Sequence, residues 1–253
     1  MSSVIHPTAI VEPGAILGDG CVIHAGAIIK AYAELGEKCI VHPYAVVGGD
    51  PQALKFNPDD YTKLIVGART TIREYVTLNR AVNPGTATTI GSDCLFMACS
   101  HVGHDAHIEN FVVVANSVLI AGHVHVESHA ILGGGTGVHQ FSRIGEGAII
   151  GGLARIRADS PPYSLAAEHS EVSGLNIVGL RRRGVPRETI AELKEAYRTV
   201  YFQAGNIRAI AADALASGKF TSVEAVKFLT FFTLGKRPIA RPAKGLPAES
   251  DDE

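Results

Sequence analysis

The chain contains 11 histidines, and five of them fall inside one short window. His101, His104 and His107 lie in the segment HVGHDAH, His123 and His125 in AGHVHV, and His139 follows in GVHQF. A histidine beside a carboxylate, as His104 is beside Asp105, suits general-base chemistry, because the carboxylate stabilises the imidazolium formed when the ring accepts a proton. A hydroxyl or amine activated in this way could attack a thioester. Three histidines could instead hold zinc, if their ring nitrogens converged with a fourth position open. No G-x-S-x-G elbow is present, so no serine is a candidate for a covalent route.

Bringing such residues together requires a repeat, and the sequence has one. Steps of six from Ile5 give Ile5, Val11, Leu17, Ile23, Ile29, Leu35, Val41 and Val47, with small residues such as Ala15, Cys21, Ala27 and Cys39 four places after each of the first seven. A new register carries Val66, Ile72 and Leu78, and then continues from Ile90 to Ile156. Neither a helix period of 3.6 nor a strand period of 2 produces this pattern, whereas a parallel β-helix does. Three hexads make one triangular coil, so residues 18 apart stack about 5 Å from one another. His104, Gly122 and Gln140 then share a column. Asp105 and His123 share the next, and Gly103, Ala121 and His139 share its other neighbour. Gly122, lacking a side chain, would leave its N–H open to a developing oxyanion. His6, His24, His42 and His129 stand apart from this strip and need only a surface explanation.

The fold expected is mainly β: a parallel β-helix over residues 1–180, with extruded loops at about 49–65 and 79–89. A helical domain follows over 181–237, its helices beginning near Pro186, at Ile207 and after the capping residue Ser222. Residues 238–253, rich in Pro, Ala and charge, are expected to be disordered. A net charge of −2 argues against a nucleic-acid partner. No apolar run of about 18 residues suggests an integral membrane segment. The N-terminus lacks the pattern of a secretion signal, and the four cysteines form no CxxC pairs, so the expected location is cytoplasmic. Cys21 and Cys39 stack at small corner positions, where packing explains them.

These motifs, with the Pro161-Pro162-Tyr163 exit and LNIVGLRRRG from Leu175 to Gly184, resemble the UDP-N-acetylglucosamine O-acyltransferases from the first hexad to the third helix. The resemblance implies the left hand of the coil, which periodicity alone does not give. It implies a homotrimer with active sites between adjacent subunits and no metal or other cofactor, acyl carrier protein being a co-substrate. Its activity would be transfer of a (3-hydroxy)acyl chain from that carrier to the 3-position of a UDP-amino-sugar, the first step of lipid A biosynthesis. Matched by motif, His104 looks like the general base, Asp105 its orienting partner and Gly122 the oxyanion donor. His101, His123, His139 and Gln140 look like sugar and acyl contacts. Asn176, Arg182 and Arg183 look like uridine and diphosphate contacts, Lys55 like an acyl-donor contact, and Gly152 like the position that gauges acyl length. Lys236, Arg237 and Arg241 offer basic surface to an acidic carrier.

Two departures stand out. Val178 replaces a carboxylate usual near the nucleoside, and Ala53 in DPQALK replaces an aspartate usual near the sugar. An acceptor with an amine at carbon 3 therefore stays open, alongside a γ-class zinc carbonic anhydrase, a coenzyme A-dependent acetyltransferase and a non-enzymatic trimeric scaffold.

Overall fold

The hexads wind into a three-sided left-handed parallel β-helix in the computed structural model, which describes residues 2–243. Its first face stacks the strands Val4–Ile5, Val22–Ile23, Ile40–Val41, Thr71–Ile72, Leu95–Phe96, Val113–Val114, Ile131–Leu132 and Ile149–Ile150. The second runs from Ile10–Val11 through Thr77–Asn79, His101–Val102, Leu119–Ile120 and Gly137–Val138 to Arg155–Ile156. The third runs from Ile16–Leu17 through Lys63–Val66, Ala87–Ile90, His107–Ile108 and His125–Val126 to Arg143–Ile144. His101 pairs with Leu119 and Leu119 with Gly137, the 18-residue step the hexads dictate. Hexad residues from Ile23 to Ile156 point inward and are at most 3% exposed. Each buried Ile or Leu contributes about 1.5–3 kcal/mol through apolar burial. At the N-terminal end the first coil has nothing stacked beneath it, and Ile5 is 46% exposed.

The corners have a property the hexad pattern does not announce. Asp93, Cys99, Asp105, Phe111, Ser117, His123 and His129, six residues apart, all adopt φ between 55° and 62°. This left-handed backbone costs a non-glycine residue about 1–2 kcal/mol. The stacking offsets it: Phe111, His123 and His129 each donate their N–H to the coil below, with His123 reaching the His104 carbonyl at 3.0 Å. These turns fix the directions in which Asp105 and His123 project.

Two coils are longer than 18 residues, since Ile40 pairs with Thr71 and Thr71 with Leu95. The extruded loops cover residues 50–62 and 80–86, narrower than expected, because Lys63–Val66 and Ala87–Ile90 pair as strands along their whole length. Arg80 ties the two loops together. Only 3% exposed, it donates to Asp50 Oδ1 at 3.0 Å and to the Pro58 and Asp60 carbonyls at 3.0 and 2.9 Å. Its guanidinium also lies between the rings of Tyr32 and Phe56, 4.7 and 4.8 Å from their centres.

Beyond Ile156 the strand Ser164–Ala167 extends the first face, and Glu171–Leu175 returns antiparallel to it. Among the described residues four helices follow: α1 (Ile177–Arg182), α2 (Arg187–Phe202), α3 (Ile207–Ala216) and α4 (Val223–Thr233). Ser222 caps α4, as its residue type suggests, whereas Pro186, expected in the first turn of α2, stands one place earlier at its N-cap. The short α1 precedes the expected start of the helical region, so the boundary at 180/181 falls inside a helix. A set of polar contacts joins α4 to the prism. Arg143 donates to the Phe231 and Leu234 carbonyls, and Lys227 pairs with Glu127 and Glu146. The tail expected to be disordered from residue 238 begins as ordered chain, because its backbone continues the ladder: Ile239 bridges Asp159, and Arg241–Pro242 pairs with Glu171–Leu175. The remainder of that expectation, 244–253, lies outside the described residues.

Candidate active site

His104 and Asp105 occupy the corner between the second and third faces. His104 Nδ1 and Asp105 Oδ2 lie 2.8 Å apart, with both side chains largely buried. The 80–86 loop folds over the carboxylate and fixes it. Val82 donates its N–H to Oδ2 and Thr86 its hydroxyl to Oδ1, each at 3.1 Å. With Nδ1 held by the carboxylate, Nε2 is the ring nitrogen left for chemistry. Gly122, stacked one coil above, makes room for the ring: a Cβ there would stand 2.7 Å from Cε1 and 2.8 Å from Nε2 of His104. No acceptor among the described residues takes the Gly122 N–H.

The neighbouring histidines are each held by a different partner. His101 Nδ1 lies 2.7 Å from the Thr77 hydroxyl, and burial pushes the His101 pKa down, favouring a neutral ring. His123 stacks on Phe141 with centroids 4.5 Å apart and meets the His104 ring edge-on at 5.1 Å. His139 Nδ1 is 3.1 Å from the Gln140 carbonyl. His101, His104, Gly122, His139 and Gln140 line a groove of about 740 Å³ along the second face, whereas His123, expected as a substrate contact, stands behind His104 and does not line it. Gln52, Asn79, Arg155 and Arg157 also line it and were not singled out from sequence. Arg155 could have been found, since it is one 18-residue step beyond Gly137 in the column of His101. Asn79 gives no such signal: it ends a coil before an irregular loop, donates Nδ2 to the Asp50 carbonyl at 2.9 Å, and has a buried, unpaired Oδ1.

Other expected site residues lie elsewhere on the same chain. Asn176 is a buried cap of α1, where Oδ1 accepts from Gly179 N–H and Nδ2 donates to the Gly147 carbonyl, each at 2.9 Å. Arg183 pairs with Glu146 at 2.9 Å, and Arg182 is exposed beside it. This group, with the exposed Val178, gathers near the corner between the third and first faces. Lys55 is exposed in the first loop, with the half-buried Ala53 two residues before it. Gly152 sits at the corner between the first and second faces. None of these lines the groove.

His104, Asp105 and His123 offer ligand atoms within 4.8 Å of one another, a set that could hold a cation. The carboxylate here is already engaged by His104, Val82 and Thr86, an arrangement that serves an oriented base better than a metal.

Comparison with known proteins places this architecture. A family model described as "Udp N-acetylglucosamine O-acyltransferase; Domain 2" matches residues 159–240. A protein of Sinorhizobium fredii named acyl-[acyl-carrier-protein]–UDP-N-acetylglucosamine O-acyltransferase is 36% identical over 96% of this chain and 97% of its own. One of the same name from Burkholderia mallei is 46% identical over 79% of this chain and 83% of its own. The crystal structure of UDP-N-acetylglucosamine O-acyltransferase from Moraxella catarrhalis superposes with a TM-score of 0.85 at 32% identity, covering 94% of this chain and 99% of that one.

Proposed function

The chain belongs to the UDP-N-acetylglucosamine O-acyltransferase family, and from that membership and the groove's geometry we propose how it moves a (3-hydroxy)acyl chain from acyl carrier protein to the 3-hydroxyl of UDP-N-acetylglucosamine, the first step of lipid A biosynthesis. His104 Nε2 takes the proton of the sugar hydroxyl as its oxygen attacks the thioester carbonyl. The Gly122 N–H donates to the oxyanion of the tetrahedral intermediate. Collapse breaks the carbon–sulfur bond, and the imidazolium returns its proton to the departing thiolate. Asp105 holds the ring in the required tautomer and stabilises its charged form. General-base help supplies about 10²–10⁴ in rate and one oxyanion donor about 10²–10³. No metal or other cofactor enters these steps; acyl carrier protein is the co-substrate.

The observation that carries this reading is the His104–Asp105 pair, clamped from the 80–86 loop and given space by Gly122. His101, His139 and Gln140 border the position of the sugar and acyl chain, and His123 buttresses His104. Because Asn176, Arg182 and Arg183 sit on another corner, the diphosphate-binding arginines of each site come from an adjacent copy in a homotrimer. Asn176 then shapes that corner as a cap while the guanidinium groups meet the diphosphate. Exposed apolar side chains facing outward, such as Ile10, Leu119 and Ile131, agree with such packing. Lys55 contacts the acyl donor, and Gly152 leaves room for the end of the acyl chain. No helix among the described residues is long and apolar enough to cross a membrane, and the enzyme works in the cytoplasm on soluble substrates.

The test is a mass-resolved assay of the purified protein with 3-hydroxyacyl carrier proteins of several lengths. Acceptors are UDP-N-acetylglucosamine and its 3-amino analogue, with His104→Ala in parallel. Ester formation on the first acceptor, falling by about 10²–10⁴ in the variant, supports the reading. Transfer to neither sugar, or full activity without His104, overturns it.

A further inference from the structure

A second cluster of histidines lies outside the acyl-transfer site. On the third face the outward residues Thr89, His107 and His125 stack in register on three successive coils. His107, Glu109 and His125 present ligand atoms that all lie within 4.8 Å of one another. The two imidazole rings are 4.8 Å apart and tilted by 57°, and His125 Nε2 is 3.0 Å from Glu109 Oε1.

Two of the three groups have an orienting partner of their own. The Thr89 hydroxyl pairs with His107 Nδ1, which leaves Nε2 as the available nitrogen. Glu109 Oε2 accepts the Ser128 N–H at 3.0 Å and the Ser128 hydroxyl at 2.8 Å, which leaves Oε1 toward the histidines. Outer partners of this kind fix tautomer and ring direction in metal sites. The next residue in the column, Arg143, brings no competing cation: its guanidinium is spent on Asp159 and on the Phe231 and Leu234 carbonyls.

We propose that His107 Nε2, His125 Nε2 and Glu109 Oε1 form a site for one zinc-class divalent ion per chain, with a fourth position open to water. Two imidazoles and one carboxylate are a donor set suited to that class. Ligands about 2.0–2.1 Å from a tetrahedral ion stand about 3.4 Å apart, so the widest pair closes by up to about 1.4 Å through side-chain rotation. The ion takes the place of the proton shared between His125 and Glu109. It links the coil that carries His104 and Asp105 to the coil that carries Gly122 and His123, and so acts as a clip between layers. This site is independent of the acyl-transfer reading.

The experiment titrates chelator-treated full-length protein with zinc chloride against a chromophoric zinc chelator. Variants are His107→Gln, Glu109→Gln, His125→Gln and, for the other cluster, His104→Gln. One zinc per chain is expected, with affinity falling at least tenfold in each of the first three variants and unchanged in His104→Gln. Zinc should raise the melting temperature of the parent and of His104→Gln, but not of His107→Gln or His125→Gln. A variant whose metal-free melting temperature has dropped is replaced by Thr89→Val, which keeps all three ligands, frees His107 Nδ1 and should weaken binding. Zinc binding that survives both histidine substitutions, that vanishes in His104→Gln, or that is undetectable in the parent overturns the proposal.

Discussion

Replacing Gly122 with alanine separates catalysis from stability more sharply than replacing His104 itself. The backbone of Gly122 lies outside the left-handed region, so alanine fits its conformation and reduces the entropy of the unfolded chain, a gain of about 0.4–1 kcal/mol where no clash opposes it. The clash that does oppose it is local. The new Cβ would stand 2.7 Å from His104 Cε1, and the ring must retreat by at least about 0.7 Å to reach ordinary contact near 3.4 Å. Asp105 resists that retreat, since it holds Nδ1 at 2.8 Å and is itself fixed by Val82 and Thr86. The ring therefore swings as a lever and displaces Nε2 from the groove, while the Gly122 N–H stays in place.

Misplacing a catalytic group by about 1 Å costs on the order of 10² in rate. Gly122→Ala should lower kcat by about that factor and leave KM for the UDP-sugar within about threefold, because His101, His139 and Gln140 on the groove wall keep their positions. Thermal unfolding should shift by only a few degrees, corresponding to about 1 kcal/mol in either direction. Steady-state kinetics and a melting curve on the same preparation decide the matter. Unchanged kcat at unchanged stability would refute the placement of His104 as the base. A collapse of stability would refute the local account of the clash.

Other perturbations test the parts that support this site. Thr86→Val removes one donor to Asp105 and should lower kcat about three- to tenfold, with a shift in the kcat pH profile that a purely structural change would not give. Arg80→Met should destabilise the fold by about 2–4 kcal/mol, since the buried guanidinium that bonds Asp50 and the Pro58 and Asp60 carbonyls is lost, and limited proteolysis should then cut within residues 50–62. Stability should also fall with acidity: burial holds His101, His107 and His129 below the ordinary histidine pKa of 6.5 in the fold, so the unfolded chain binds more protons as pH drops through that value. The melting temperature should be flat above about pH 7.5 and decline toward pH 5, less steeply in His101→Gln. Co-expressing His104→Ala with Arg182→Ala chains should restore up to about a quarter of wild-type activity, since each mixed trimer with shared sites contains one interface with both residues intact. Complete inactivity of the mixture would place the base and the arginine in one chain's own site.

Much of this was legible because the β-helix turns sequence spacing into distance. A period of 18 stacks His104 under Gly122, and the structure puts the ring where a glycine Cβ would be. The same arithmetic would have added Arg155 to the groove. What spacing could not give was anything set by loops and corners. The clamp on Asp105 comes from Val82 and Thr86, in a segment that breaks the repeat, and Arg80 reads in sequence as one more charged loop residue although it is buried. The left-handed turns at Cys99 and Phe111 are occupied by residue types that seldom adopt them alone, so the stacked coil must hold them there.

The division of the candidate residues between two corners carries a structural consequence of its own. Asn176 and Arg183 are bound into the chain's C-terminal layer, the first as a helix cap and the second on Glu146, and neither can be brought across the prism to the second face without dismantling that layer. Either the arginines serve the groove of another copy, or they do not serve substrate at all. In the trimer proposed above, each prism would offer its second face to a neighbour's basic corner, so that the groove meets its arginines when three copies close around an axis. On the proposed reading, trimer formation is then a condition for having an active site as well as a means of covering apolar strands.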